Sequence, residues 1–349
     1  MRYVLERIRR LTPYIPQEAS EGEIKLDAQE NPYELPDTVR DKIISGISSL
    51  SLNRYPDPGN RSLKKKIAEY CGVDPAGIIV GNGSDELIQL ILTACGGPGR
   101  VSVSCRPTFS MYRILSELTG TRYLEVPLKA GFELPVEDIL EKKADLTFIA
   151  SPNNPTGNSF PEGKLREVIV KSSGLVVIDE AYYEFSGKTA IPLLEEYGNL
   201  ALLRTFSKAF SLAGIRAGYL IGSAALVSQL EKARLPYSFS IINQKVLEAV
   251  LSEKEAALAS VKKILSSRDR LYEELQGFTG IKPYRSDANF ILMEIEYIDG
   301  VLEALGRRNI KVRKFTEPLL RGFLRVTVGR EEENRVFLEA VREVESEKF

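Results

Sequence analysis

The sequence predicts an α/β protein, with a large domain on a mostly parallel seven-stranded sheet and a smaller α+β domain after it. Three observations carry this prediction. Between about residues 60 and 235, short apolar runs alternate with longer amphipathic stretches, the order of strands joined by helical crossovers. Several of those runs are nearly continuous Val, Ile and Leu, as strands covered on both faces require. From Pro236 onward the order changes to a long helical pattern followed by mixed strands and helices.

The expected strands of the large sheet fall at 78–81, 101–105, 122–126, 146–150, 175–178, 201–204 and 218–221. Helical patterns at 85–95, 108–119 and 161–171 lie between them. Ligands of such sheets bind beyond the carboxyl ends of the strands, where the polar motifs of this chain fall. The second region holds a helical pattern at about 253–275, a strand at 289–294 and a helix at 298–308. Strand-like runs at 311–315 and 323–328 and a last helix at 331–347 complete it. The first forty residues carry no strong periodic pattern. The expected division is therefore 1–40 as a segment packing on the small domain or a partner subunit, 41–235 as the large domain and 236–349 as the small one. A cleft between two domains favours a small-molecule site.

Composition excludes several classes of function. Hydrophobic residues at 43% and charged residues at 27% describe a globular chain rather than a disordered one. A net charge of −1 gives no electrostatic case for nucleic acid or an anionic membrane. No apolar run approaches the roughly 20 residues that span a bilayer, and charges interrupt Met1-Arg-Tyr-Val-Leu-Glu-Arg where a secretory signal would be apolar. Cys71, Cys95 and Cys105 form no Cys-x-x-Cys and leave one unpaired, which fits a reduced, cytoplasmic protein. Histidine is absent, so serine-histidine triads, histidine bases and most catalytic zinc sites are excluded. No metal is expected, and proton transfer falls to lysine, carboxylate, tyrosine or water.

Two motifs define the chemistry. Leu175-Val-Val-Ile-Asp179-Glu-Ala-Tyr182 is an apolar run ending in a carboxylate, and a buried carboxylate needs a partner. Arg204-Thr-Phe-Ser207-Lys208-Ala-Phe places a lysine beside hydroxyls that can hold a phosphate. Pyridoxal phosphate (PLP) asks for this combination: a lysine for its aldehyde, an acid for its pyridine nitrogen and donors for its phosphate. Thr205, Ser207, Gly214 and Arg216 form one extended run with Lys208, and Arg suits bidentate phosphate contact. Gly81-Asn-Gly-Ser84-Asp85-Glu86 sits between a strand and a helix, where Ser84 or Asp85 can cap and free N–H groups favour an anion. An ordinary strand-turn-helix corner would use the same residues.

Ser151-Pro-Asn-Asn154-Pro-Thr-Gly157 is a β-turn by composition; alternatively Asn154, with Tyr182, bonds the ring oxygen of the cofactor. Phe109, in Arg106-Pro-Thr-Phe109-Ser-Met-Tyr112, either stacks on the ring or packs in the core. Arg325, inside the apolar run Phe323-Leu-Arg325-Val-Thr-Val-Gly329, is costly unless it meets an anion: a substrate carboxylate or phosphate, or an internal glutamate. Arg313 in Ile310-Lys-Val-Arg313-Lys is a weaker candidate of the same kind.

Taken together, these residues resemble the fold-type I PLP enzymes of the aspartate aminotransferase superfamily and, more narrowly, the histidinol-phosphate aminotransferases. The resemblance runs from Arg10-Leu-Thr-Pro-Tyr14-Ile-Pro, Glu30-Asn31-Pro and Arg54-Tyr55-Pro-Asp-Pro through the motifs above to Ala288-Asn289-Phe and the final helix. It implies the PLP-dependent transferase type I fold. It implies that Lys208 joins the cofactor and shuttles the proton, that Asp179 pairs with the pyridine nitrogen, and that Asn154 and Tyr182 hold the ring oxygen. Phe109 would stack on the ring, and Ser84, Asp85, Thr205, Ser207 and Arg216 would surround the phosphate. Tyr55 would reach the cofactor phosphate of a second subunit, which implies a homodimer. Asn31 and Arg325 match positions that hold the substrate carboxylate, and Tyr14 and Arg313 match positions that meet the substrate side chain or phosphate.

The implied substrates are an amino donor and a 2-oxo acid, namely L-histidinol phosphate and 2-oxoglutarate. Threonine-phosphate decarboxylation and aromatic amino acid transamination use nearly the same motifs. The chain departs from the usual family pattern at Gln17, Ala28-Gln29, Phe109 and the Ser of Pro236-Tyr-Ser-Phe-Ser. Phe109 keeps an aromatic face, and the other departures lie in substrate-facing segments.

Overall fold

The structure, a computed structural model, describes residues 3–13 and 22–348. Among these residues twelve strands form two sheets. The first strand, β1 (Ile24–Leu26), belongs to the second sheet. The large sheet holds β2 (Ile78–Gly81), β3 (Val101–Arg106), β4 (Arg122–Pro127), β5 (Leu146–Ala150), β6 (Leu175–Asp179), β7 (Leu200–Thr205) and β8 (Gly218–Gly222). The remaining strands are β9 (Ile281–Pro283), β10 (Phe290–Ile295), β11 (Ile310–Lys314) and β12 (Phe323–Thr327).

The large sheet has the order β2-β8-β7-β6-β5-β3-β4. All seven expected strands are present, and β8 alone runs against its neighbours. The reason is the connection before it. Between β7 and β8 lies a single 3-10 turn, Ala213–Ile215, and no crossover helix, whereas a parallel return needs a helical crossover. The two strands therefore close a wide hairpin in which Thr205 pairs with Gly218.

Period-two alternation distributes the sheet between two core layers. Val176, Ile178, Leu200 and Leu202 enter one layer. Val177, Ala201, Leu203, Leu146 and Phe148 enter the other, with the helix Gly83–Cys95 and Tyr112 of the helix Met111–Thr119. This double burial explains the near-continuous apolar runs. It also assigns directions at the strand ends. Asp179 and Thr205 follow the face of Val177 and Leu203, and Glu180 and Arg204 follow the opposite face.

The second sheet has the order β1-β11-β12-β10-β9 and its own core, with Leu26, Ile291, Val312, Leu324 and Phe337. Two of its strands depart from expectation. β1 lies within the first forty residues and pairs in parallel with β11, Lys25 beside Lys311. β9 extends the opposite edge against β10. The helix expected at 253–275 is broken into Lys254–Ala257 and Ala259–Gln276, because Leu258 leaves helical angles (φ −93°, ψ 2°) and packs against two core clusters. The helix expected from 108 begins at Met111; Thr108 instead donates to Asn153 Oδ1 at 2.6 Å. No helix among the described residues is long and apolar enough to cross a membrane.

Candidate active site

Most of the predicted cofactor residues line one cavity of about 120 Å³ beyond the carboxyl ends of β2, β5, β6 and β7. At one end stands Asp179, 4% exposed. Its Oδ2 accepts from Tyr112 Oη at 2.8 Å and its Oδ1 from the Ala181 N–H at 3.1 Å. Burial pushes its carboxyl up to about 6, against the hydrogen bonds from Tyr112 and Ala181.

Lys208 enters from the β7–β8 loop, and its Nζ donates to the Ala28 carbonyl at 2.8 Å. Burial first, then the charge of Arg325, lowers its ammonium to about 8. Phe109, Asn154 and Tyr182 line the same cavity. The Tyr182 ring packs edge-on against Phe290, and burial raises its hydroxyl pKa.

At the other end is a cluster of donors. Arg216 Nη1 reaches Ser207 Oγ at 3.3 Å, and its Nη2 reaches Asp85 Oδ2 at 3.3 Å. Asp85 is thus accounted for at an anion site: it holds the guanidinium. Thr205 Oγ1 donates to Ser207 Oγ at 3.0 Å and accepts from the Ser207 N–H at 3.1 Å. Ser84 completes the lining. Its helix begins at Gly83, earlier than expected, and neither Ser84 nor Asp85 caps it. Asn82 is the N-cap residue, and its N–H donates to Glu86.

Gly83 is a position where the backbone demands glycine: φ is +83°, and a Cβ there would lie 3.0 Å from Arg216 Nη2. Gly218 is another at this site, since its Cβ would meet the Ser84 amide nitrogen at 2.8 Å. The donor set fits PLP. A buried acid, a lysine of lowered pKa, an aromatic face and a cradle of hydroxyls, guanidinium and helix N-terminus surround one space.

A wider cleft of about 450 Å³ adjoins this cavity and shares Gln29, Asp85, Phe109, Asn154 and Lys208 with it. The face of the second sheet opposite its core supplies cations from three neighbouring strands: Lys25 of β1, Arg313 of β11 and Arg325 of β12. Arg325 and Arg313 are a direct cross-strand pair. Arg325, 6% exposed, donates to Asn154 Oδ1 and to the Asp27 carbonyl. Lys25 is held by Glu30 at 2.7 Å.

Two expected site residues line neither cavity of this chain, and a third is not among the described residues. Asn31 lines neither cavity; its Nδ2 donates to the Ala209 carbonyl at 3.0 Å and to Ser260 Oγ at 2.9 Å. Tyr55 is 80% exposed and stacks on Tyr237 with centroids 4.5 Å apart. Tyr14, like Gln17, lies outside the described residues.

Sequence reasoning missed Tyr112 and Lys25, and marked Gln29 only as a departure in a substrate-facing segment. Tyr112 carried one available signal, its place three residues after Phe109 in the helix expected from residue 108. Gln29 adopts φ 53° and is anchored by its N–H to Thr327 Oγ1 at 3.0 Å, a non-local bond without a sequence signature.

The aminotransferase class I and II family matches residues 21–341. The chain belongs to that family and is a PLP-dependent aminotransferase. A histidinol-phosphate aminotransferase of Carboxydothermus hydrogenoformans is 41% identical over 98% of this chain and 99% of its own length. One from Thermococcus gammatolerans is 41% identical over 98% of this chain and 97% of its own. Within the aminotransferases, the chain therefore belongs with the histidinol-phosphate aminotransferases. The crystal structure of the Sinorhizobium meliloti enzyme of that name, in complex with pyridoxal 5'-phosphate, covers the whole chain and 99% of its own with a TM-score of 0.91. At 24% identity, that likeness speaks for the fold.

Proposed function

We propose that the chain transfers the amino group of L-histidinol phosphate to 2-oxoglutarate, giving imidazole-acetol phosphate and L-glutamate in histidine biosynthesis. The observation that carries the reading is the convergence of Lys208, Asp179 and the Ser207–Arg216–Asp85 cluster on one cavity beside a cation-lined cleft, in a chain 41% identical to relatives of that name.

PLP, when bound, supplies an electron sink for negative charge at the substrate α-carbon. Lys208 is its attachment point. The Lys208 amine would be the group that takes the substrate α-proton and returns a proton to complete the transfer. Burial lowers the pKa of this amine to about 8, which favours its neutral, basic form. Asp179 would hold the proton of the pyridine nitrogen, and Asn154 and Tyr182 would hold the ring oxygen. Ser84, Thr205, Ser207 and Arg216 would hold the phosphate, with Asp85 fixing the guanidinium. Arg325 and Arg313 bind the substrate anions, a carboxylate in one half-reaction and a phosphate ester in the other.

The unit of function is a homodimer in the cytoplasm, with Tyr55 contributed across the interface. Steady-state assay of L-histidinol phosphate with 2-oxoglutarate tests the reading by detecting glutamate. Absence of glutamate, together with carbon dioxide release from threonine phosphate or transfer from aromatic amino acids, would overturn it.

A further inference from the structure

We infer that Tyr112 is a positioning residue for the cofactor: its hydroxyl, by donating to Asp179, biases the proton between that carboxylate and the pyridine nitrogen toward the nitrogen. The inference rests on the assignment of Asp179 to that nitrogen.

Tyr112 and Asp179 are both buried and line the same cavity. The Tyr112 ring is clamped, stacked on Phe148 with centroids 5.1 Å apart and an interplanar angle of 12°, and edge-on to Phe109 at 5.6 Å. Its hydroxyl is thereby fixed 2.8 Å from Oδ2. Burial and the charge of Asp179 raise the phenol pKa well above its usual value, so it stays protonated and donates.

The charged groups that act on Asp179 through space are Asp85 and Glu180, both acidic, so both raise its proton affinity. Two interactions oppose them and burial: the Tyr112 hydroxyl and the Ala181 N–H. A hydrogen bond to the charged form of a carboxylate favours that form. Asp179 can therefore leave a proton on the ring nitrogen instead of taking it. Without the Tyr112 hydroxyl, Oδ2 loses its donor in a dry site, and the proton shifts toward the carboxylate.

The test is nitrogen NMR of the folded holoenzyme loaded with PLP labelled with ¹⁵N in the ring. In wild type the signal is that of a protonated pyridine. Tyr112→Phe, which keeps the ring and its packing, moves it toward the neutral position. A fluorinated tyrosine at position 112, a stronger donor of the same shape, moves it the other way or holds it fully protonated. Tyr123→Phe removes a largely buried hydroxyl that bonds Ser104 instead and leaves the signal unchanged.

An unchanged signal in Tyr112→Phe, with wild type protonated, overturns the inference alone. A neutral nitrogen in wild type overturns the assignment of Asp179 as well.

Discussion

Asp179 and Lys208 are both ionisable groups taken out of water, and burial acts on them in opposite directions. In the cofactor-free protein it raises Asp179 from 3.8 to about 6. Between those values the folded chain binds the extra proton, so its stability falls as pH rises. A rise of this size corresponds to about 3 kcal/mol. Asp179→Asn removes that dependence. Denaturant unfolding of the cofactor-free proteins should show the variant gaining about 2.5 kcal/mol on wild type between pH ~4 and ~7. Parallel pH profiles would contradict this account.

Behind Asp179, on the opposite face, Arg204 donates to Glu180 at 2.8 and 2.9 Å, with both side chains no more than 2% exposed. Arg204 also stacks over Tyr183 at 3.6 Å. Removing one partner strands a buried charge, so Glu180→Gln is expected to destabilise the fold by about 3–5 kcal/mol, measured by urea unfolding. No loss of stability would contradict the pairing. At this scale the sequence was informative where a residue type is costly in its setting. A carboxylate closing an apolar run and an arginine inside a strand both marked the site. Tyr112 carries no such cost, since a buried tyrosine is ordinary, so its partner could be read only from the fold.

At the scale of elements, the site is made by the segments just beyond four strands and by one wide hairpin. The β7–β8 loop carries both Lys208 and Arg216, and Gly218, where β8 begins, pairs close to the Ser84 amide. Gly83 lets the two segments approach. Gly83→Ala would force a non-glycine residue into a left-handed conformation, at about 1–2 kcal/mol, and press on Arg216. PLP affinity, read by fluorescence titration, should fall roughly tenfold or more. Unaltered affinity would remove the phosphate cradle from this corner.

The strands of the large sheet were legible because burial on both faces leaves them nearly pure in Val, Ile and Leu. The direction of β8 was not, because periodicity is blind to strand polarity. β1 was missed for another reason. It has only three residues, Leu26 alone is fully buried, and its stability comes from pairing with β11 almost three hundred residues away.

At the scale of the whole molecule, two sheets face a common cleft, one supplying the cofactor residues and the other the cations. One charged strand face, Lys25, Arg313 and Arg325, thus lines the cleft beside the cofactor cavity. The change of element order near Pro236 was legible in the sequence, whereas the strand that the N-terminal segment adds to the second sheet was not. On the outer surface Leu52, Tyr55, Leu235 and Tyr237 are exposed on two segments joined by the Tyr55–Tyr237 stack. That is an apolar patch of the kind an interface covers. Sedimentation should show a dimer, and Leu52→Glu should weaken both the dimer and PLP retention. A monomer with full PLP affinity would contradict the shared site.

Whether Lys208 holds PLP and releases it to the amino donor is read from the absorbance of the PLP-loaded protein as each substrate is added alone. L-Histidinol phosphate should convert the visible band of lysine-bound PLP to the near-ultraviolet band of its amine form, and 2-oxoglutarate should restore it. Lys208→Ala should lack the visible band of the lysine adduct and show no catalytic cycle. A visible band that survives the loss of Lys208, or one that neither substrate alters in wild type, would contradict the account.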